Sequence, residues 1–426
     1  MATFKEKFSL IIKDKVLRKK ILFVLFGFVV FRLLSTIPIP GINTAQLANF
    51  LQNNQFLNLF SIFSGSGLST LSIVMLGVGP YITATIVMQL LTMIFPKLKA
   101  LYQEEGEAGR MKFAQYSRIL TVPLALVQAY GFLLILIQGG QLAGITAFQM
   151  ITDLVIITGG SVLIMWIGEL MTEYGVGNGT SLIIFSGIVS RLPQVIAQQW
   201  LVLQSDFSKL PFYIGFIILG VLVVWAVVVI TEAERPIPIT YAKRVRGSKV
   251  YGGISTYLPL RVNQAGVIPI IFALSLLLFP QFILNVIVKV VHNTAIINIS
   301  NTIIALINNG WIRSVIYFVL VFIFTYFYTA VTFDPQIISE NLQKSGAFIP
   351  GIRPGQSTSE YISKVVTRIT LVGAVFLALI AVLPLALQGV SGNQVFAIGG
   401  TALLIVVSVV IDLVKKIEGQ ISMREY

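Results

Sequence analysis

The 426-residue chain is 56% hydrophobic and only 11% charged, about half the charged fraction of an ordinary soluble domain. The apolar surplus must face lipid, which excludes a soluble globular enzyme. With no cysteine and a single histidine, His292, thiol catalysis, disulfide frameworks and His/Cys metal sites are excluded as well.

In chain order, residues 1–20 come first. Phe4, Phe8, Ile11, Ile12 and Val16 share one helical face, while Lys5, Lys7, Lys13, Lys15 and Arg18 occupy the rest. This is the pattern of an amphipathic helix at the cytoplasmic membrane surface, and the same face fits a partner's transmembrane helix. Ten stretches long enough to span a bilayer follow, at about 21–40, 71–94, 117–137, 150–170, 180–199, 212–230, 265–287, 312–332, 367–387 and 395–413. The first lacks a small-residue cleavage pattern and ends in the rigid turn Ile37-Pro38-Ile39-Pro40-Gly41. It therefore reads as a retained span, not a cleaved signal peptide.

Residues 42–70 contain no Lys, Arg, Asp or Glu, and the apolar run from Leu57 to Leu68 is too short to span and is interrupted by Gly65 and Gly67. Joined to the span at 71–94, it reads as a re-entrant half-helix, a geometry tolerated only where protein or a cavity surrounds it. A helix lying at the outer interface fits the same composition.

Helix breakers recur inside the spans: Gly77-Val78-Gly79-Pro80, Gly177-Asn178-Gly179, Ile268-Pro269 and Gly399-Gly400. Behind each comes branched aliphatic sequence: Ile82, Leu182-Ile183-Ile184, Ile270-Ile271 and Leu404-Ile405. None offers a ring of charge or a run of carbonyls for an ion filter. A constriction of aliphatic side chains instead seals by dewetting and can deform around a large, chemically varied cargo. Each such residue taken alone also fits ordinary helix packing.

The charges set topology. Of 30 Lys and Arg, seven fall in 1–20, five in 95–118, six in 231–264, four in 334–368 and three in 414–426. The positive-inside rule makes those segments cytoplasmic, both termini included. A nucleic-acid reading of the +13 net charge is the weaker one. The long segments 231–264 and 334–366 carry Pro- and Gly-rich turns, Arg235-Pro236-Ile237-Pro238 and Pro350-Gly351-Ile352-Arg353-Pro354-Gly355, suited to a stiff docking platform. Arg353 at the tip of the second is the strongest candidate for an acidic partner, although any cytoplasmic loop is basic. A cut near 205 leaves five spans on each side. An odd number per half inverts the second relative to the first, as in transporters and channels built from inverted repeats, and ten spans without internal duplication is the alternative.

Several strings carry a family resemblance: Ile37-Pro38-Ile39-Pro40-Gly41, Leu76-Gly77-Val78-Gly79-Pro80-Tyr81-Ile82, Glu105-Gly106-Glu107-Ala108-Gly109-Arg110, Ser255-Thr256-Tyr257-Leu258-Pro259-Leu260-Arg261-Val262-Asn263, Ala265-Gly266-Val267-Ile268-Pro269 and Lys344-Ser345-Gly346-Ala347-Phe348-Ile349-Pro350-Gly351-Ile352-Arg353-Pro354-Gly355. In order and spacing, from about residue 15 to the last span, they resemble the bacterial SecY family, the channel-forming subunits of the Sec protein translocon.

The resemblance implies an all-α polytopic membrane protein with ten transmembrane helices in two inverted five-helix halves around a central pore. Its divisions would be a cytoplasmic amphipathic helix over 1–20, an N-terminal half over 21–205, a C-terminal half over 206–413 and a cytoplasmic tail over 414–426. The pore ring would comprise Val78, Ile82, Thr180, Ile184, Ile271 and Ile405, with Thr180 departing from the aliphatic residue usual there. A plug would lie at about 58–69 and include Leu59, Phe60, Ile62, Phe63, Gly65 and Gly67. A lateral gate towards lipid, between the second, third, seventh and eighth spans, would include Thr83, Thr85, Gln89, Gln128, Ser275 and Phe279. Lys243, Arg244, Arg246, Lys249 and Arg353 would dock the ribosome or the SecA ATPase motor.

By the same resemblance, the SecE and SecG membrane subunits would be partners, the substrates would be polypeptides bearing signal sequences, and the setting would be the lipid bilayer of the bacterial inner membrane. No cofactor is implied, and no G-x-x-x-x-G-K-[ST] loop is present to bind a nucleotide. A secondary transporter for a small solute is the alternative function, and it predicts ionisable residues near a midplane site. The best candidates, Arg32, Glu169 and Asp412, fall near span ends where they can reach water. An insertase without a transverse pore would need neither plug nor platform.

Overall fold

The computed structural model describes residues 14–40, 71–138, 146–207, 210–241, 244–246, 249–251, 255–291, 293–391 and 394–422. Helix α1 (Lys15–Thr36) starts where the Asp14 carboxylate accepts from the amides of Val16 and Leu17, a side-chain N-cap. The expected division at residue 20 is not a helix end, because the basic turn Lys15–Lys20 and the apolar run are one helix. Residues 1–13 of the expected surface helix lie outside the described residues.

The expected span at 71–94 is helical only from Gly79. Residues 71–78 form successive turns, with Gly77 at φ 53°, before α2 (Gly79–Ile94) begins with Pro80 in its first turn. Pro96 cannot extend that helix, so α3 (Pro96–Gln103) leaves it at 113°. Then come α4 (Gly106–Gln138), α5 (Ala147–Tyr174), α6 (Gly179–Val189), α7 (Leu192–Ser205) and α8 (Leu210–Glu232). A capping box between Thr146 and Gln149 opens α5, and the Asn178 carboxamide caps α6 by accepting from Thr180 and Ser181.

The second half opens with a hairpin of β1 (Glu234–Tyr241) and β4 (Ser255–Arg261) around the smaller pair β2 (Arg244–Arg246) and β3 (Lys249–Tyr251). Then follow α9 (Ile268–Val290), α10 (Thr294–Asn308), α11 (Gly310–Thr332), α12 (Pro335–Lys344), β5 (Ala347–Phe348), α13 (Gln356–Ser391) and α14 (Gln394–Ser422). β1 and β4 are antiparallel, with Glu234 opposite Arg261, and β5 adds to the other edge of β1. Ile237, Leu260, Ile349, Ile362, Val365 and Val366 form a small core that fastens this sheet to the foot of α13. The strands are short and confined to the two loops, so the chain remains a helical membrane protein.

Helices stand at all ten expected span positions. Among the described residues seven are long and apolar enough to cross a membrane, or eight when the bent pair α2–α3 counts as one span. α8 is apolar all round and buries only Val223 and Val227, the signature of a helix bathed in lipid. The chain is a multi-pass membrane protein.

Packing reproduces itself in the two halves. In the first, α2 meets α4, α4 meets α5, α5 meets α6, α2 meets α5 and α1 meets α6. In the second, the helices of the same rank repeat those meetings: α9 with α11, α11 with α13, α13 with α14, α9 with α13 and α8 with α14. The halves join where α9 lies against α2 and α4, and again where α14 lies against α6. The pairs α2–α9 and α6–α14 each join helices of equal rank, as a pseudo-two-fold axis between inverted repeats requires.

Lipid is as apolar as leucine, so close approach rather than hydrophobicity binds these helices. A Cβ on Gly179 of α6 would strike the carbonyl oxygen of Gly168 on α5. Only glycine permits that crossing.

Candidate functional site: an aliphatic constriction and the seam beside it

The candidate constriction is assembled by α2, α6, α9 and α14, four of the helices at which the halves meet. Val78, Ile82, Ile184, Ile271 and Ile405 are all buried in one apolar cluster. Glycine and proline set their positions. The left-handed turn at Gly77 places Val78 as the N-cap residue of α2, and Pro269 lies in the first turn of α9, just before Ile271.

Thr180 behaves differently. Its hydroxyl donates to Asn178 Oδ1 at 2.6 Å and its methyl lies against Gly168 of α5, so both ends of the side chain are engaged within the first half.

Residues 71–78 are held from two sides. The amide of Ile39 donates to Leu71 O at 2.9 Å and that of Ile73 to Ile37 O at 3.0 Å, while Ser161 Oγ on α5 donates to Gly77 O at 3.0 Å. The chain can cross α5 there because Gly160 has no side chain, and a Cβ would run into the carbonyl oxygen of Ile73. Sequence reasoning missed this seat, and the visible signal was Gly159-Gly160-Ser161 in mid-span, a small-residue run that marks close helix approach.

Beside the constriction, the seam where α9 meets α2 and α4 is polar as well as buried. Thr83, Gln89, Gln128 and Ser275 are each less than a tenth exposed, and Thr85 and Phe279 are half-buried. Gln128 Nε2 on α4 donates to Thr83 Oγ1 on α2 at 3.3 Å, and Thr83 in turn donates to Gly79 O at 3.0 Å. The Oε1 atoms of Gln89 and Gln128 have no hydrogen-bond partner. A buried acceptor left unpaired costs about 1–3 kcal/mol, so a seam holding two is weaker than an all-aliphatic one of the same area.

Arg118 Nε on α4 lies 2.7 Å from Glu169 Oε1 on α5. Glu169 lies near a span end, but its side chain is only 18% exposed and is paired. Spacing in the sequence could not join residues on different helices.

At the sheet end of the bundle, Arg246 stands opposite Lys249 across β2 and β3, with Arg244 two residues away on the same strand. Lys243 lies outside the described residues, as does the whole expected plug at 58–69. Arg353 is exposed between Gly351 at φ 84° and Gly355 at φ 101°. Its loop is tied down by hydrogen bonds from Thr358 Oγ1 to Arg353 O at 2.9 Å and from Ser339 Oγ to Gly355 O at 2.6 Å. Its conformation is therefore held while its guanidinium is free to meet a partner.

Comparison with known proteins agrees with this architecture. The SecY family model matches residues 72–414. The protein translocase subunit SecY of Streptomyces coelicolor is 41% identical, with 98% of each chain covered, and that of Thermotoga maritima is 40% identical over 96% of this chain and 94% of its own. Among solved structures, one described as a protein conducting channel superposes with a TM-score of 0.64 at 18% identity, covering 96% of this chain and 94% of its own. A SecY structure described for its plug domain gives 0.66 at 20% identity, covering 96% and 93%. The chain therefore belongs to the SecY family, whose members are channel subunits of the protein translocase and not enzymes.

Proposed function

We propose that this chain conducts unfolded secretory polypeptides through the gap between its two halves and releases apolar segments sideways into lipid between α2 and α9. The observation that carries this reading is that, where the two inverted halves meet, α2, α6, α9 and α14 contribute aliphatic side chains to one buried cluster. Such side chains exclude water and ions at rest, yet make no directional bond that a passing chain would have to match. The ring is Val78, Ile82, Ile184, Ile271 and Ile405, with Thr180 at its margin.

The seam of Thr83, Thr85, Gln89, Gln128, Ser275 and Phe279 is the lateral gate. Its two unpaired amide oxygens leave the closed state less stable than a fully satisfied interface, so an apolar signal segment entering from the pore competes with it on favourable terms. Segment 58–69 is the plug.

The membrane is the bacterial inner membrane, and both termini and the sheet face the cytoplasm. The charge asymmetry of the loops supports that orientation. Arg244, Arg246, Lys249 and Lys243, with Arg353 on its braced loop, receive the SecA motor or the ribosome. A structure sharing this fold is described as Sec61 in a ribosome-channel complex, which favours a ribosome as a partner. SecE holds the halves together and SecG lies alongside. A small-solute transporter gains nothing from Glu169 or Asp412, which pair with Arg118 and Lys416.

The test is reconstitution of the chain with SecE, SecG, SecA, ATP and a precursor in proteoliposomes. ATP-dependent protection of the precursor from external protease is expected, and protection equal to that of vesicles lacking this chain would overturn the reading.

A further inference from the structure

Arg313 on α11 is only 4% exposed and its Nε has no partner. Tyr317, one turn along the same helix face, is wholly buried, and its hydroxyl is also unpartnered. Both side chains lean towards the start of α11, at the end of the bundle away from the sheet. Tyr317 belongs to the main apolar cluster, and a polar pair lies level with it. Phe272 on α9 meets Phe324 and Tyr328 on α11 at ring distances of 6.1 and 6.0 Å. Following the two antiparallel helices equally far from that contact brings Gln281 level with Tyr317. Gln281 Nε2 donates to Asn308 Oδ1 at 3.4 Å, joining α9 to α10.

A buried guanidinium without a counter-ion is costly, and a cation in the first turns of a helix opposes the helix dipole. No acid offsets it. The sequence contains no Asp or Glu between Glu234 and Asp334, none in 41–70, 139–145 or 389–401, and the acids at that end are Asp153 on α5 and Asp206 between α7 and α8. Two donors on one face of α11, Arg313 Nε and the Tyr317 hydroxyl, are therefore left without acceptors, an arrangement suited to an anion. Trp311, two residues before Arg313, is 78% exposed, and tryptophan favours the headgroup level of a bilayer.

We propose that Arg313, Tyr317 and the first turn of α11 form a phosphate site that takes the headgroup of an anionic phospholipid from the leaflet at that end. Arg313 supplies the charge-assisted hydrogen bonds, and Tyr317 supplies a further donor one turn deeper. The bound lipid closes the junction of α9, α10 and α11, so that α9 carries α10 and α11 with it when it moves.

The test follows thermal unfolding of the full chain in an uncharged, phosphate-free detergent as phosphatidylglycerol or inorganic phosphate is added, with native mass spectrometry counting retained lipids. Phosphatidylglycerol is expected to raise the melting temperature of the wild type and to remain bound through delipidation. Arg313→Gln should retain one lipid fewer and weaken the apparent affinity roughly tenfold or more, the loss of one charge-assisted hydrogen bond, while Arg313→Lys recovers part of it. Equal lipid retention by wild type and Arg313→Gln would overturn the proposal, and stabilisation by inorganic phosphate matching that by lipid would overturn the lipid assignment. Should Arg313→Gln fail to fold, Tyr317→Phe carries the test, because it keeps the ring and removes the donor. Reduced lipid retention supports the site and unchanged retention overturns it.

Discussion

Ser161 and Gly77, 84 residues apart, are joined by a hydrogen bond of 3.0 Å from the serine hydroxyl to the glycine carbonyl. That bond holds the turn from which α2 and Val78 begin, so the position of one side of the constriction is decided on α5. Lipid offers no competing hydrogen-bond partner, and the carbonyl of a residue at positive φ has no helical amide to accept from.

Gly160→Val should therefore displace the turn, because the new side chain meets the backbone of Ile73 and backbone cannot rotate away. Ser161→Ala removes only the hydrogen bond and should cost about 1 kcal/mol. Thermal unfolding in detergent should rank the variants wild type, Ser161→Ala, Gly160→Val. The resting ion conductance in a planar bilayer should rise in the same order.

Replacing Ile271 or Ile405 with Asn places an amide in the dry constriction. Water and ions should then enter the resting channel more readily, and precursors with weak signal sequences should be accepted more often. Single-channel recording decides the matter, and a conductance as low as wild type in both variants would remove them from the seal.

The absence of cysteine makes the seam testable by cross-linking. With Thr83→Cys and Phe279→Cys together, only one intramolecular disulfide can form, and it requires Cα atoms within about 7 Å. Oxidation should join α2 to α9 and stop both translocation and membrane insertion, and reduction should restore them. Translocation undiminished after efficient cross-linking would place the exit elsewhere.

Arg353→Glu should leave folding unaltered, since an exposed loop charge contributes little to stability. Motor-driven export should fall steeply because the braced loop presents the wrong sign to its partner. Motor binding and precursor export in proteoliposomes, at matched channel content, measure the effect.

Much of this molecule was legible in its residues. Lipid demands about 20 apolar residues per span and a satisfied backbone, and all ten stretches found on that basis carry helices. Glycine and proline act locally, so the late start of α2 at Gly79 and the held loop around Arg353 lie where Gly77, Gly79, Pro80, Gly351 and Gly355 stand. α10 is not legible because its 15 residues are too few to span, and α1 runs on through residue 20 because the charge pattern changes there while helix propensity does not.

What only the tertiary structure decided are the meetings between distant residues. Gln128 on Thr83, Arg118 on Glu169, Ser161 on Gly77 and the partnerless Nε of Arg313 depend on how closely two helices approach and at what rotation. Those quantities are set by packing at a few small residues such as Gly160 and Gly179. A span's hydropathy records that it faces lipid or protein, whereas the identity of its neighbour depends on side-chain shapes summed over both helices, which no local pattern in either contains.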